Sequence, residues 1–212
     1  MSREMQIYLQ KNFSMYVFVT VLFIMGVIFG ALLVNALSVE QKQEISSFLS
    51  SFFQLVNQGN LNGGAVSFQH VFVMNVKWIF LIWIFGLSVI GFPLILLLDF
   101  LKGVLVGFTV GYLVGQLSWH GLLFALAAIA PQNLLFIPAI IIASVSSISF
   151  SLYLIKNRFF QKICTLYPQF VSFSLVALAM IFVMGAASIL EAYLSPMMMH
   201  WITPTLTSLK GN

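Results

Sequence analysis

The residues capable of chemistry are few in this chain and lie far apart. Its three histidines are His70, His120 and His200. Their spacing is not that of a local set of metal ligands, and the sequence contains no H-E-x-x-H, G-x-S-x-G or phosphate-binding loop motif. Cys164 is the only cysteine, which excludes an internal disulfide and a cysteine-based metal site. We therefore expect no catalytic residues, no metal and no cofactor.

Two carboxylates lie at the margins of apolar segments, where ionisable groups are costly and call for a functional hypothesis. Asp99 has Lys102 three residues away, and an i,i+3 ion pair at the membrane border accounts for it. Glu191 has no basic neighbour close in sequence. Both structural pairing and contact with a partner protein remain open for Glu191.

The composition indicates that most side chains of this protein face lipid. Of the 212 residues, 61% are apolar and 7% are charged, whereas about a quarter of the residues of a soluble domain are charged. The nine Lys and Arg residues are scattered between apolar runs and form no basic stripe of the kind that reads nucleic acid. We expect membrane lipid, and no nucleic acid, as a partner.

The apolar runs predict an all-α integral membrane protein, a bundle of about five transmembrane helices in a single domain over residues 1–212. A span needs about 20 apolar residues. The spans are predicted at about 16–37, 78–98, 103–117, 121–155 and 170–190, with a turn at Ser118–Gly121. Gly91-Phe92-Pro93 is an alternative turn, from which the third span would start near Pro93.

Residues 38–77 are predicted to form an amphipathic segment outside the membrane. From Ile45 to Val56 the apolar residues, Phe48 and Phe52 among them, recur at the spacing of one helix face, with Ser, Gln and Asn on the other. Such a helix lies in the membrane interface or docks its apolar face on a partner.

Four glycines stand four residues apart in the predicted third span. They are Gly103, Gly107, Gly111 and Gly115. Glycines at this spacing share a helix face and let two helix backbones approach closely in lipid. The stripe predicts either packing within one subunit or the seam of a homodimer.

Pro131-Gln132-Asn133, with Pro138 further on, predicts a break in the fourth span. Each proline deprives a carbonyl of its partner, and the amides of Gln132 and Asn133 are placed near mid-membrane to serve such carbonyls or another helix. A helix–helix contact is one interpretation. The other is a pathway through broken helices, which makes a small-solute permease or channel the alternative function.

The basic residues predict the orientation. With the amino terminus in the cytoplasm, six of the nine Lys and Arg residues are cytoplasmic, as the positive-inside rule requires. The carboxyl terminus and residues 38–77 then lie outside.

Several of these segments together resemble one family. The segments are Phe23–Gly30, the block from Ser88 to Val114, Pro131–Leu134 and Glu191–Pro196. In this order they are similar to the stage II sporulation protein M family of endospore-forming bacteria.

The resemblance implies a role in engulfment, at the mother-cell membrane that migrates around the forespore. It implies a complex with two cell-wall-degrading partners, stage II sporulation proteins D and P. This chain would recruit or localise them, and the peptidoglycan chemistry would be theirs. The resemblance assigns no residue a role.

Overall fold

The computed structural model describes residues 3–57, 68–88, 90–128, 130–159 and 166–189. Within these ranges the chain is helical and has no strand, which confirms the all-α prediction. The elements are α1 (Arg3–Leu33), a 3₁₀ helix (Val34–Ala36), α2 (Val39–Asn57), α3 (Phe68–Gly86), α4 (Gly91–Ala128), α5 (Ala130–Phe159) and α6 (Leu166–Ile189).

Four helices contain segments long and apolar enough to cross a membrane, as far as the described residues extend. These segments are Asn12–Ala36, Gly91–Gln116, Asn133–Lys156 and Tyr167–Ile189. In α3 a shorter apolar segment, Phe72–Gly86, accompanies them. The protein is therefore a multi-pass helical membrane protein, with α2 as the amphipathic helix.

Helix α5 forms the centre of the bundle. Of its apolar segment 61% is buried, against 17–28% in the other three long segments, and it contacts α1, α3, α4 and α6. Ile140 and Ile148 of α5 pack in one core with Ile82 of α3, Ile95 of α4 and Met184 of α6. Helices α1, α3, α4 and α6 pack around α5 and expose large apolar side chains, as lipid-facing helices do.

The predicted second span, 78–98, is wrong, because α3 ends at Gly86 and α4 begins at Gly91. The amide of Gly91 donates to the carbonyl of Ser88 at 3.0 Å, and a Cβ at Gly91 would overlap the carbonyl oxygen of Phe85. Only glycine permits this close turn. Pro93 then falls in the first turn of α4, where proline is tolerated. The alternative, a third span starting near Pro93, is confirmed.

The residues of the predicted turn, Ser118–Gly121, are helical. Helix α4 continues through these residues to Ala128, since one glycine costs a helix only about 1 kcal/mol. Helix α4 does not run straight over its 38 residues. Asp99 bonds to Ser144 and Lys102 contacts Phe136, both in α5, and at about 1.5 Å per residue a straight α4 would keep these pairs far apart. The helix therefore bends back towards α5 before it reaches Ala128.

The bundle has two distinct ends. One end holds the end of α1, α2, the start of α3 and the end of α6, where the Asn75 amide donates to the Ser188 hydroxyl at 3.2 Å; we call it the α2 end. The opposite end holds the start of α1, the α3–α4 turn, the end of α5 and the start of α6. Because Lys11, Lys156 and Arg158 belong to it, we call it the basic end.

Candidate functional site

The glycine stripe of α4 packs against α1 of the same chain. A Cβ at Gly103 or Gly107 would overlap the carbonyl oxygen of Phe23 or Val27, respectively. A Cβ on Gly111 would come within 2.9 Å of the Ala31 Cα. Since the residue numbers rise together on both helices, α1 and α4 run parallel along this seam. The stripe is therefore an intramolecular helix-packing surface, which we call the glycine seam.

The two helices contribute glycines to the seam from both sides. A Cβ built on Gly26 of α1 would lie 3.3 Å from the Cα of Gly103, and one on Gly30 would overlap the carbonyl oxygen of Val104. Gly115 is different, because a Cβ there would meet nothing within 4 Å. The homodimer stays a prediction, and its interface cannot use Gly103, Gly107 or Gly111, which α1 already covers.

The seam positions α2, which follows directly from the end of α1. The 3₁₀ helix closes α1, and Leu37 then turns the chain into an extended conformation. The Ser38 amide donates to Gln41 Oε1 at 3.0 Å, and the Gln41 amide donates to Ser38 Oγ at 3.2 Å. These reciprocal bonds are a capping box of the S-x-x-Q type. They fix the residue at which α2 starts.

A second bond connects α2 to the bundle. The Tyr112 hydroxyl of α4 donates to the carbonyl of Lys42 at 2.9 Å. Beyond this contact the apolar side chain of Phe48 is 74% exposed. Phe52 lies four residues after Phe48 in α2, and its side chain is outside the described structure. The amphipathic segment is thus a helix with at least part of its apolar face uncovered.

Asp99 is buried within the bundle and not at its border. It lies eight residues after the start of α4, about 12 Å along the axis, and is 0% exposed. The Ser144 hydroxyl of α5 donates to Asp99 Oδ1 at 2.8 Å, while Oδ2 is buried without a hydrogen-bond partner. The sequence analysis placed Asp99 at a span margin and missed its burial. Only the alternative third span, which starts near Pro93, includes Asp99 within the span.

The ammonium group of Lys102 lies among aromatic rings. Its Nζ is 4.2 Å from the ring centroid of Phe136 in α5 and 5.2 Å from that of Trp78 in α3. Such cation–π contacts stabilise a cation that has left water. Lys102 therefore links three helices one turn away from Asp99.

Polar side chains connect the other helices, and sequence reasoning missed them. The Ser151 hydroxyl of α5 donates to the carbonyl of Ser88 at 2.9 Å, and Trp83 Nε1 donates to Ser174 Oγ at 3.3 Å. Hydroxyl and amide bonds of this kind hold helices together in lipid. The available signal was the concentration of serines in α5 between Ser144 and Ser151.

Gln132 and Asn133 lie in the first turn of α5, with Pro131 between Ala130 and Gln132. Proline is tolerated in a first helical turn. The placement of both amides near mid-membrane stays a prediction. Asn133 is half-buried. Pro138 is the proline inside the helix.

The remaining candidate, Glu191, lies outside the described residues. In the described part of the chain, no three His, Cys, Asp or Glu side chains are grouped closely enough to hold a metal ion. The residues that the fold brings together are those of the glycine seam, α2 and the Asp99–Ser144 pair.

A protein-family model described as Stage II sporulation protein M matches residues 19–196. This range begins in α1, includes the whole glycine seam and ends beyond α6. No curated protein and no solved structure matches the chain.

Proposed function

Because the chain belongs to the stage II sporulation protein M family, we propose that it is a membrane scaffold of the sporulation engulfment machinery. It recruits or localises the peptidoglycan hydrolases, stage II sporulation proteins D and P, at the mother-cell membrane. Its own role is to bind and position, and the bond-breaking chemistry belongs to the partners. Family membership supports the sporulation context, and the architecture of α2 supports the scaffold role.

The observation that carries the scaffold role is the open apolar face of α2, a helix whose start is attached to the bundle. A capping box fixes the start of this helix, and Tyr112 connects its first turns to α4. Phe48 nevertheless remains 74% exposed. An exposed aromatic side chain on a fixed helix is the kind of anchor that dominates protein–protein interfaces. We propose that hydrolases, or an adaptor bound to them, contact this face.

The test is the localisation of a fluorescent hydrolase in sporulating cells that carry Phe48→Glu. The new charge is expected to prevent burial of this face in an interface. We expect the hydrolase to spread over the membrane and engulfment to slow, while the scaffold itself accumulates normally because Phe48 packs on little else.

The matched control is Gln43→Glu. Gln43 is an exposed residue of the same helix, and the change adds the same charge away from the apolar face. Hydrolases should localise normally in this variant. Equal effects of both substitutions, or normal localisation with Phe48→Glu, would argue against α2 as the docking surface. Normal localisation in a strain that lacks the protein would overturn the scaffold itself.

A further inference from the structure

A cleft with both polar and apolar lining opens between α1, α5 and α6 at the basic end. Its volume is about 480 Å³, within the roughly 300–1,000 Å³ typical of small-molecule sites. Six of its lining residues carry hydroxyl or amide groups: Asn12, Ser146, Ser149, Tyr153, Gln169 and Ser172. A cleft with so many polar groups is unusual on a surface that otherwise faces lipid tails, which offer no hydrogen bonds.

The cleft begins at the membrane border and extends inward. Asn12 is the first residue of the apolar segment of α1, and Gln169 lies two residues into that of α6. Ser146 lies ten residues from Lys156, the border residue of α5. On α5 the lining residues run from Ser146 to Tyr153, about 10 Å at 1.5 Å per residue. This range covers the depth at which lipid headgroups and their ester linkages lie.

A basic residue lies near the cleft. Lys156 is exposed one turn beyond Tyr153, which lines the cleft. The first turn of α6, which includes Pro168 and Gln169, also borders the cleft. A helix amino terminus carries about half a positive charge and attracts anions.

The outer walls beside the cleft are apolar. Phe13 is 65% and Val17 45% exposed on α1, and Leu175 is 64% exposed on α6. An occupant with a polar, negatively charged head and long apolar tails matches this arrangement. Its head would lie in the cleft, and its tails would follow the open faces of α1 and α6.

We propose that this cleft is a binding site for an anionic phospholipid in the leaflet at the basic end. Lys156 and the α6 amino terminus attract the phosphate, and the exposed Gln169 and Ser172 bind the headgroup and ester oxygens. The proposal does not depend on the scaffold function, since it concerns the opposite end of the bundle from α2.

The test is native mass spectrometry of the detergent-solubilised full-length protein, titrated with phosphatidylglycerol or phosphatidylcholine. We expect one phosphatidylglycerol molecule to be retained, with phosphatidylcholine binding at least tenfold more weakly. Lys156→Gln should weaken phosphatidylglycerol binding about fivefold, the factor that corresponds to about 1 kcal/mol per basic residue near an anionic lipid. Ser172→Leu, at an exposed position, should weaken it further by filling the cleft.

The matched control is Lys77→Gln, which removes an exposed lysine of α3 that lies away from the cleft. Retention should be unchanged in this variant. Equal retention of both lipids, or an equal loss with Lys77→Gln and Lys156→Gln, would overturn the proposal in favour of diffuse charge. Loss of a co-purifying protein with Ser172→Leu, at unchanged lipid retention, would overturn it in favour of a partner helix.

Discussion

Gly107 and Gly115 belong to the same stripe of α4, yet their surroundings differ. A Cβ at Gly107 would collide with the Val27 backbone, which cannot move aside as a side chain can, whereas a Cβ at Gly115 would meet open space. We expect Gly107→Ala to lower the free energy of unfolding by about 1–3 kcal/mol, the usual cost of overpacking. The change in the free energy of unfolding is measured by comparing the unfolding of the purified variant and the native protein in detergent micelles.

Gly115→Ala is the control, and its expected sign is the opposite. With no collision, only the helix propensity of alanine counts, which favours the helix by up to about 1 kcal/mol over glycine. Destabilisation of similar size in both variants would mean that the stripe faces a partner as well as α1.

The Asp99–Ser144 bond gives a second residue-scale prediction. Ser144→Ala removes the donor to Oδ1 of a carboxyl group whose Oδ2 is already buried without a partner. We expect the free energy of unfolding to fall by about 1–3 kcal/mol, the cost of an unsatisfied buried polar atom.

A double-mutant cycle with Asp99→Leu identifies the origin of that cost. In the Asp99→Leu background Ser144→Ala should have little effect, because no carboxylate is left unsatisfied. An equal effect in both backgrounds would show that Ser144 acts through its own packing.

At this scale, periodicity predicts more than isolated residues do. The four-residue spacing of the glycines predicts a packing face, and the structure places three of the four on α1. The burial of Asp99 could not be predicted, since the partner Ser144 is 45 residues away in sequence and Lys102 offered a nearer explanation. Burial depends on which helix lies opposite, and local spacing carries no information on that.

At the scale of the element, the attachment of α2 is open to test. Tyr112→Phe removes the O–H donor to the Lys42 carbonyl while it keeps the ring. We expect greater mobility of a spin label at position 43, introduced as Gln43→Cys in a Cys164→Ser background, as measured by electron paramagnetic resonance.

Tyr167→Phe is the control for this change. Tyr167 is 75% exposed at the start of α6, far from α2, and its loss of a hydroxyl should leave the label unaffected. An immobile label in Tyr112→Phe would show that the capping box alone holds α2.

Helix types were predictable and helix borders were not. Hydrophobic periodicity indicates α2 correctly, because its apolar residues recur at one spacing over several turns. The α3–α4 border depends on a single close approach of Gly91 to Phe85. The charge of Asp99 suggested that a span ends near this residue. In the structure Asp99 is buried within α4, where the Ser144 hydroxyl of α5 donates a hydrogen bond to its carboxyl group.

At the scale of the whole molecule, the lone cysteine tests the proposed orientation. Cys164 falls between α5 and α6 in the sequence, and the predicted topology makes it cytoplasmic if the amino terminus is. A membrane-impermeant maleimide should leave the native protein unlabelled in intact cells and label it after permeabilisation. The variant Gln43→Cys with Cys164→Ser should react in intact cells. The reverse pattern would invert the topology and place α2 in the cytoplasm.

The parallel course of α1 and α4 has a mechanical consequence. Helix α2 is joined covalently to the end of α1 and by the Tyr112 hydroxyl to α4. A pull on α2 by a moving partner is therefore applied to both helices. Because the backbones interlock at Gly26, Gly103 and Gly107, one helix cannot slide past the other without steric collision. Tension would then be shared by the helix pair, and the bundle would resist being drawn apart one helix at a time.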